Sequence, residues 1–213
     1  IYHEKLQRIH EMIENGTATY EQAYEYAQEV GEALAKSFEA HINSEVLPDG
    51  HMYFNIADRI LNPTLANNHA MVVAVSVSIQ EILNRQAGLG LRGIEAPLNQ
   101  HRIKSIIERV VAEEVFDDVE WMLAEPIVNF TQSVVDDTIK ANAEFQYESG
   151  LHPKIIRTAH ASDPCDWCKT MEGTYKYPNV PAGVYGRHDR CRCTVEYDPG
   201  DARRQNIWTK EWR

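Results

Sequence analysis

The sequence predicts a mainly helical protein in three parts: a helical body over residues 1–150, a small α+β module with short strands over 151–200, and a tail over 201–213. Three observations carry this. Apolar residues recur at three- and four-residue steps through most of the first part. After Pro153 the pattern turns into short alternating runs between turn residues. The charge balance breaks at the same place, with 10 Lys+Arg against 24 Asp+Glu in residues 1–149 and 11 against 8 in residues 150–213.

A first helix is expected from Tyr2 to Glu14, ended by Asn15-Gly16. Thr19 is a good N-cap for the next, and Gln22 completes a capping box. From there Tyr20, Ala23, Ala27, Val30, Leu34, Phe38 and Ile42 share one helix face, and Pro48 and Gly50 stop it. Asn62-Pro63-Thr64 predicts a further break. The segment from Leu65 to Ala87 follows as a buried helix; its valine run could make a strand, but its length favours helix. "LNQHRIKSIIERVVAEEV" supplies another helix. "EPIVNFTQSVVDDTIKANAEFQYESG" supplies the last, with Ile127, Phe130, Val134, Val135, Ile139, Ala143 and Tyr147 on one face and Gly150 as its C-cap.

In the module, "KIIRTAH", "GTYKYP" and "CRCTVEY" read as short strands. Such a piece has little apolar mass of its own and needs the body or a staple to hold it. The tail carries Trp208 and Trp212 four apart, which suits a short docking helix or a partner-binding peptide.

Composition excludes several classes. The longest strictly apolar run, Ala70 to Val75, is far short of the ~20 residues of a spanning helix, so no membrane partner is expected. No charged start precedes an apolar stretch, so no signal peptide is expected. The chain opens on Ile1 rather than Met, so an upstream start is expected. The acidic first part argues against broad nucleic-acid binding there. "GLGLRG", Gly88 to Gly93, matches a dinucleotide fingerprint only formally, because it follows a helix; it reads as a helix-ending loop. Asp117-Asp118 and Asp136-Asp137 read as solvated helix faces. His3, His10, His41, His51, His69 and His101 are scattered and read as surface or packing residues.

All four cysteines fall in the module, as Cys165-x2-Cys168, then His188-x2-Cys191-x-Cys193. A two-residue spacing lets two ligands face one ion, and zinc takes four thiolate or imidazole donors in a tetrahedron. Five candidates are offered. One assignment uses Cys165, Cys168, His188 and Cys191; the other uses the four cysteines with His188 beside them. In a strand Cys191 and Cys193 would point the same way. Two disulfides would also fit an even count, and a catalytic zinc could recruit Glu172 or His160 as its base. Structural zinc is the favoured reading, giving a helical body followed by a zinc-stapled α+β module. Trp167, Tyr175, Tyr177, Tyr185 and Tyr197 are expected to form the small core beneath the site. Arg187, Arg190 and Arg192 are expected as a solvated rim or as phosphate contacts.

With Cys165, Cys168, Gly173, His188, Cys191, Arg192 and Cys193 in this order, the chain resembles the tailed-phage minor head proteins, the head morphogenesis family related to the Mu F-like proteins. The match covers roughly 155–201; Asp189 stands where the family often has Pro. The resemblance implies a phage or prophage minor capsid protein in few copies near the portal, acting in head morphogenesis or DNA packaging and ejection. It implies portal and capsid proteins as partners, with DNA as a further one, and a place in the virion or in the host cytoplasm during assembly. It implies no catalysis, and the residues offer no catalytic set. The alternatives are a nuclease-like toxin using His188 with the nearby arginines, and a zinc-module nucleic-acid binder.

Overall fold

The computed structural model describes residues 2–160, 164–188, 190–199, 205–206 and 211–212, with backbone alone at 2–3, 205–206 and 211–212. Five helices come first: α1 (Tyr2–Glu14), α2 (Tyr20–His41), α3 (Phe54–Gln86), α4 (Gln100–Val110) and α5 (Glu125–Glu148). Then follow β1 (Lys154–Thr158), a short α6 (Asp166–Met171), β2 (Gly173–Lys176) and β3 (Thr194–Asp198). The fold is mainly helical with a small C-terminal antiparallel sheet, as the periodicities predict.

Local signals explain most of the ends. Thr19 N–H donates to Gln22 Oε1 at 3.0 Å, the returning half of the capping box at the start of α2. Gly150 closes α5 with φ +85. Leu151 N–H reaches Gln146 O and Gly150 N–H reaches Tyr147 O, the paired bonds of a Schellman ending.

Pro63 is a correction. It does not break the chain but lies inside α3. Leu61 and Leu65 on either side are fully buried in one core cluster, while Pro63 and Arg59 are exposed. The carbonyl that Pro63 leaves without a donor, that of Arg59, therefore belongs to a solvent-facing residue where water can satisfy it. Packing carries the helix through.

α5 is buried on most of its surface; Lys140, Glu144, Tyr147 and Glu148 in its C-terminal half are exposed. Gly31 lets α2 approach it: a Cβ there would meet Val128 Cα at 3.0 Å and Thr131 Cβ at 3.1 Å. One end of the bundle is filled by Phe38, Leu61, Leu65, Ile103, Ile107, Phe116 and Phe130, among others.

At the other end the core is shared. Tyr20, Val72, Ile79, Val135 and Ile139 from the helices join Ile155, Val184, Val195 and Tyr197 from the sheet side in one cluster. The sheet order is β2-β1-β3, all antiparallel, with Ile155 opposite both Tyr175 and Tyr197. A buried polar chain stitches the same seam. Tyr20 Oη donates to Gln80 Oε1, the Gln80 and Gln146 amides both donate to Asn84 Oδ1, and Tyr197 Oη donates to Gln146 Oε1. Asn84 in turn donates to Leu91 O, pinning the "GLGLRG" loop, which no strand precedes.

β3 starts at Thr194, three residues later than "CRCTVEY" suggests, so Cys191 and Cys193 lie in the approach to the strand. Both are nevertheless buried while Arg192 between them is half-buried. In the tail, Gln205–Asn206 (β4) pairs antiparallel with Glu211–Trp212 (β5), where a helix was one expectation. Trp208 lies outside the described residues.

Candidate metal centre

The two halves of the cysteine pattern meet. Cys165 caps the N-terminus of α6, and its Sγ accepts the Cys168 N–H at 3.4 Å, so the short helix turns both sulfurs to one side. His188 Nε2 lies 2.9 Å from Cys168 Sγ and 3.4 Å from Cys165 Sγ. Cys193 Sγ is 3.3 Å from Cys168 Sγ. Two triads of donor atoms result, Cys165–Cys168–His188 and Cys168–Cys191–Cys193, with the atoms of each within 4.8 Å of one another. Cys168 belongs to both. All five sequence candidates are thus brought together, and all four cysteines are free thiols. The set is chemically suited to a metal ion: thiolate sulfur and imidazole nitrogen within reach of one point.

The thiols are not equivalent. A hydrogen bond from Cys193, together with the charges of Arg187 and Arg157, outweighs burial and pulls the Cys191 thiol down to about 4. Burial pushes Cys168 up, and the hydrogen bond to Cys191 followed by burial pushes Cys193 well up.

Two of the three arginines, Arg187 and Arg192, are not the solvated rim expected, while Arg190 is exposed. Arg187 has a side chain 3% exposed. Its Nε donates to Asp136 Oδ2 at 2.5 Å and its Nη2 to Asp136 Oδ1 at 3.1 Å. Burial opposes its charge, but Asp136 and Tyr24 outweigh that and hold its pKa above the ordinary value. The same guanidinium donates to Cys193 O at 3.1 Å and Cys191 O at 3.5 Å, and stacks 4.8 Å over the Tyr24 ring. Tyr24 Oη donates to Asp136 Oδ1 at 2.7 Å and accepts Val195 N–H at 3.1 Å. Arg192 pairs with Glu125 at 2.8 Å, and Arg190 is exposed with φ 56. Asp136 itself is fully buried, which corrects its reading as a solvated helix face; Asp117 and Asp118 are exposed as expected.

The neighbouring aromatic residues divide. Tyr197 is buried, and Tyr175, Tyr177 and Tyr185 pack at the edge of the main core. Trp167 is 37% exposed, standing edge-on to His188 with ring centroids 5.7 Å apart. Neither potential general base joins the cluster. His160 Nε2 is 2.7 Å from Thr194 Oγ1, and Glu172 Oε1 accepts the Ala159 N–H. Of the scattered histidines, His69 is buried, and burial lowers its pKa; His10, His41 and His51 contact Tyr26, Ser37 O and Glu114 O. His3 lies outside the described side chains.

Arg157, Tyr24 and the role of Asp136 escaped the sequence reading. The signal for Arg157 was there: it shares the phase of Ile155 in "KIIRT", a cation on the apolar side of a strand.

No family model, curated protein or solved structure matches this chain. Among the described residues no helix is long and apolar enough to cross a membrane.

Proposed function

We propose that this chain is a structural protein of a tailed-phage or prophage head, a minor capsid component near the portal, whose C-terminal module is stapled by one zinc ion. The carrying observation is the cluster itself. The C-x2-C, H-x2-C-x-C pattern that resembles the phage head proteins folds into two donor triads that share Cys168, in a module whose sheet packs on the helical body. The ion is held by four of Cys165, Cys168, His188, Cys191 and Cys193; bound there, zinc would cross-link loops that have little core of their own. Two arginines that a nuclease-like or DNA-binding reading would use on phosphate are paired internally, Arg187 with Asp136 and Arg192 with Glu125. That supports a structural role over one on phosphate; portal and capsid proteins are the partners that the resemblance implies. The test is fractionation of particles from a strain that carries the gene. The protein is expected in gradient-purified heads or procapsids; recovery only in the soluble fraction overturns the reading.

Protein purified without added metal is expected to contain close to one zinc per chain by elemental analysis. Two disulfides found by mass spectrometry under non-reducing conditions would instead sink the zinc assignment.

The ligand set has its own test. His188 Nε2 faces both Cys165 and Cys168, and its spacing to Cys191 mirrors theirs, so His188→Ala is expected to lose zinc to a chelator much faster than Cys193→Ala. The reverse order would make the site four-cysteine, with His188 beside it.

A further inference from the structure

We propose that Arg157 is a positioning residue of the metal centre: a buried cation that holds the Cys191 sulfur in place and is neutralised by the thiolate charge of the loaded site. The proposal rests on the metal-binding reading above. Arg157 is 1% exposed and is the largest fully buried side chain among the described residues. A buried charge is costly unless an opposite charge answers it. Arg187 has Asp136 for this. Among the described residues, no carboxylate forms an ion pair with Arg157. Its Nη1 donates to two neutral carbonyls, Val184 O at 2.5 Å and Gly186 O at 3.0 Å. Its Nε has no partner. Its Nη2 points at Cys191 Sγ, 3.7 Å away, and the guanidinium lies 5.0 Å from the Trp167 ring centroid.

Among the described residues, the only contact of Arg157 that can carry a full negative charge is therefore the cysteine sulfur. Three or four thiolates on one divalent ion leave the centre net negative, so the loaded site supplies the missing counter-charge. The dependence runs both ways. An N–H donated to a ligand sulfur fixes its direction, and the carbonyl bonds tie that donor to the 182–186 turn. Arg157 thereby links β1, this turn and the Cys191 loop around the ion. Outer partners of this kind orient metal ligands and tune the ion they hold.

The experiment loads the whole chain with zinc, and separately with cobalt(II), and measures retention against a chelator together with the cobalt–thiolate absorption. If the wild-type chain holds no metal, the metal reading itself fails and this proposal with it. With a loaded wild type, Arg157→Met is expected to weaken retention ~10–100-fold. It is also expected to move the cobalt–thiolate band to longer wavelength, because the sulfur loses a hydrogen-bond donor; a residue that only fills space would leave the band where it is. Retention equal to wild type, or an unmoved band, overturns the proposal. Should Arg157→Met fail to fold, Arg157→Lys is read the same way. Lysine keeps the charge but lacks the planar fork that reaches Val184, Gly186 and Cys191 together, so weaker retention and the same band shift are expected, and wild-type behaviour in either again overturns the proposal.

Discussion

Asp136→Asn is expected to destabilise the protein by about 3–5 kcal/mol, the usual cost of removing one partner from a buried ion pair. The carboxylate is fully buried and its partner Arg187 has a side chain 3% exposed, so solvent screens little of the loss. The substitution keeps the shape of the side chain and removes only its charge. Arg187 is then left as an uncompensated cation in the seam between α5 and the cysteine loop. Two further attachments weaken with it. Tyr24 Oη loses its charged acceptor, and Arg187 is no longer braced to hold the Cys191 and Cys193 carbonyls. Urea denaturation of the metal-loaded protein measures the effect; a loss below about 1 kcal/mol, the scale of an exposed pair, would show that the pair carries little. The double variant Asp136→Leu with Arg187→Met should recover much of the stability, because no charge then remains buried. It should not recover metal retention if Arg187 positions the cysteine loop.

That pair also marks where the sequence stops being legible. The helices could be read because their information is local: apolar spacing, the Thr19–Gln22 box, Gly150. The metal donors could be read for the same reason, since a two-residue spacing within each half already points two ligands at one ion. Only the meeting of the halves needed the fold. Asp136 was misread because its partner lies 51 residues away, and adjacent acids are ordinarily solvated. Its helix gave a hint, since between Glu125 and Lys140 the sole charged residues are Asp136 and Asp137. A stretch without charge from Pro126 to Val135 offers no solvated face that continues into both of them. Pro63 failed in the opposite sense. The local rule was sound, but two fully buried leucines on either side outweighed it. The phage-head reading comes from the motif residues alone, so particle fractionation, rather than further geometry, decides it.

Cys168→Ser is expected to abolish metal retention and to lower the stability of the whole chain, not of the module alone. Cys168 is the donor common to both triads, so no four-ligand set built from the cluster avoids it except by recruiting all four remaining residues. Serine is a poor ligand for a soft-donor site. Without the ion, the loops carrying Cys165, His188 and Cys191 lose their staple, and metal binding is folding free energy where the ligands lie. The composition break near residue 150 would confine the damage to residues 151–200. The packing argues otherwise. Ile155, Val184 and Val195 are each fully buried in the cluster that also holds Val72, Ile79, Val135 and Ile139. Each such side chain contributes about 1.5–3 kcal/mol when buried, so a module that detaches takes that stabilisation from the helices as well. The expected result is a helical signal still present at room temperature but melting at a clearly lower temperature, together with early protease cleavage between β1 and β3. Stoichiometric zinc in Cys168→Ser would remove Cys168 from the ligand set. A helical signal that melts at the wild-type temperature after the metal is lost would show that the shared core survives without its staple.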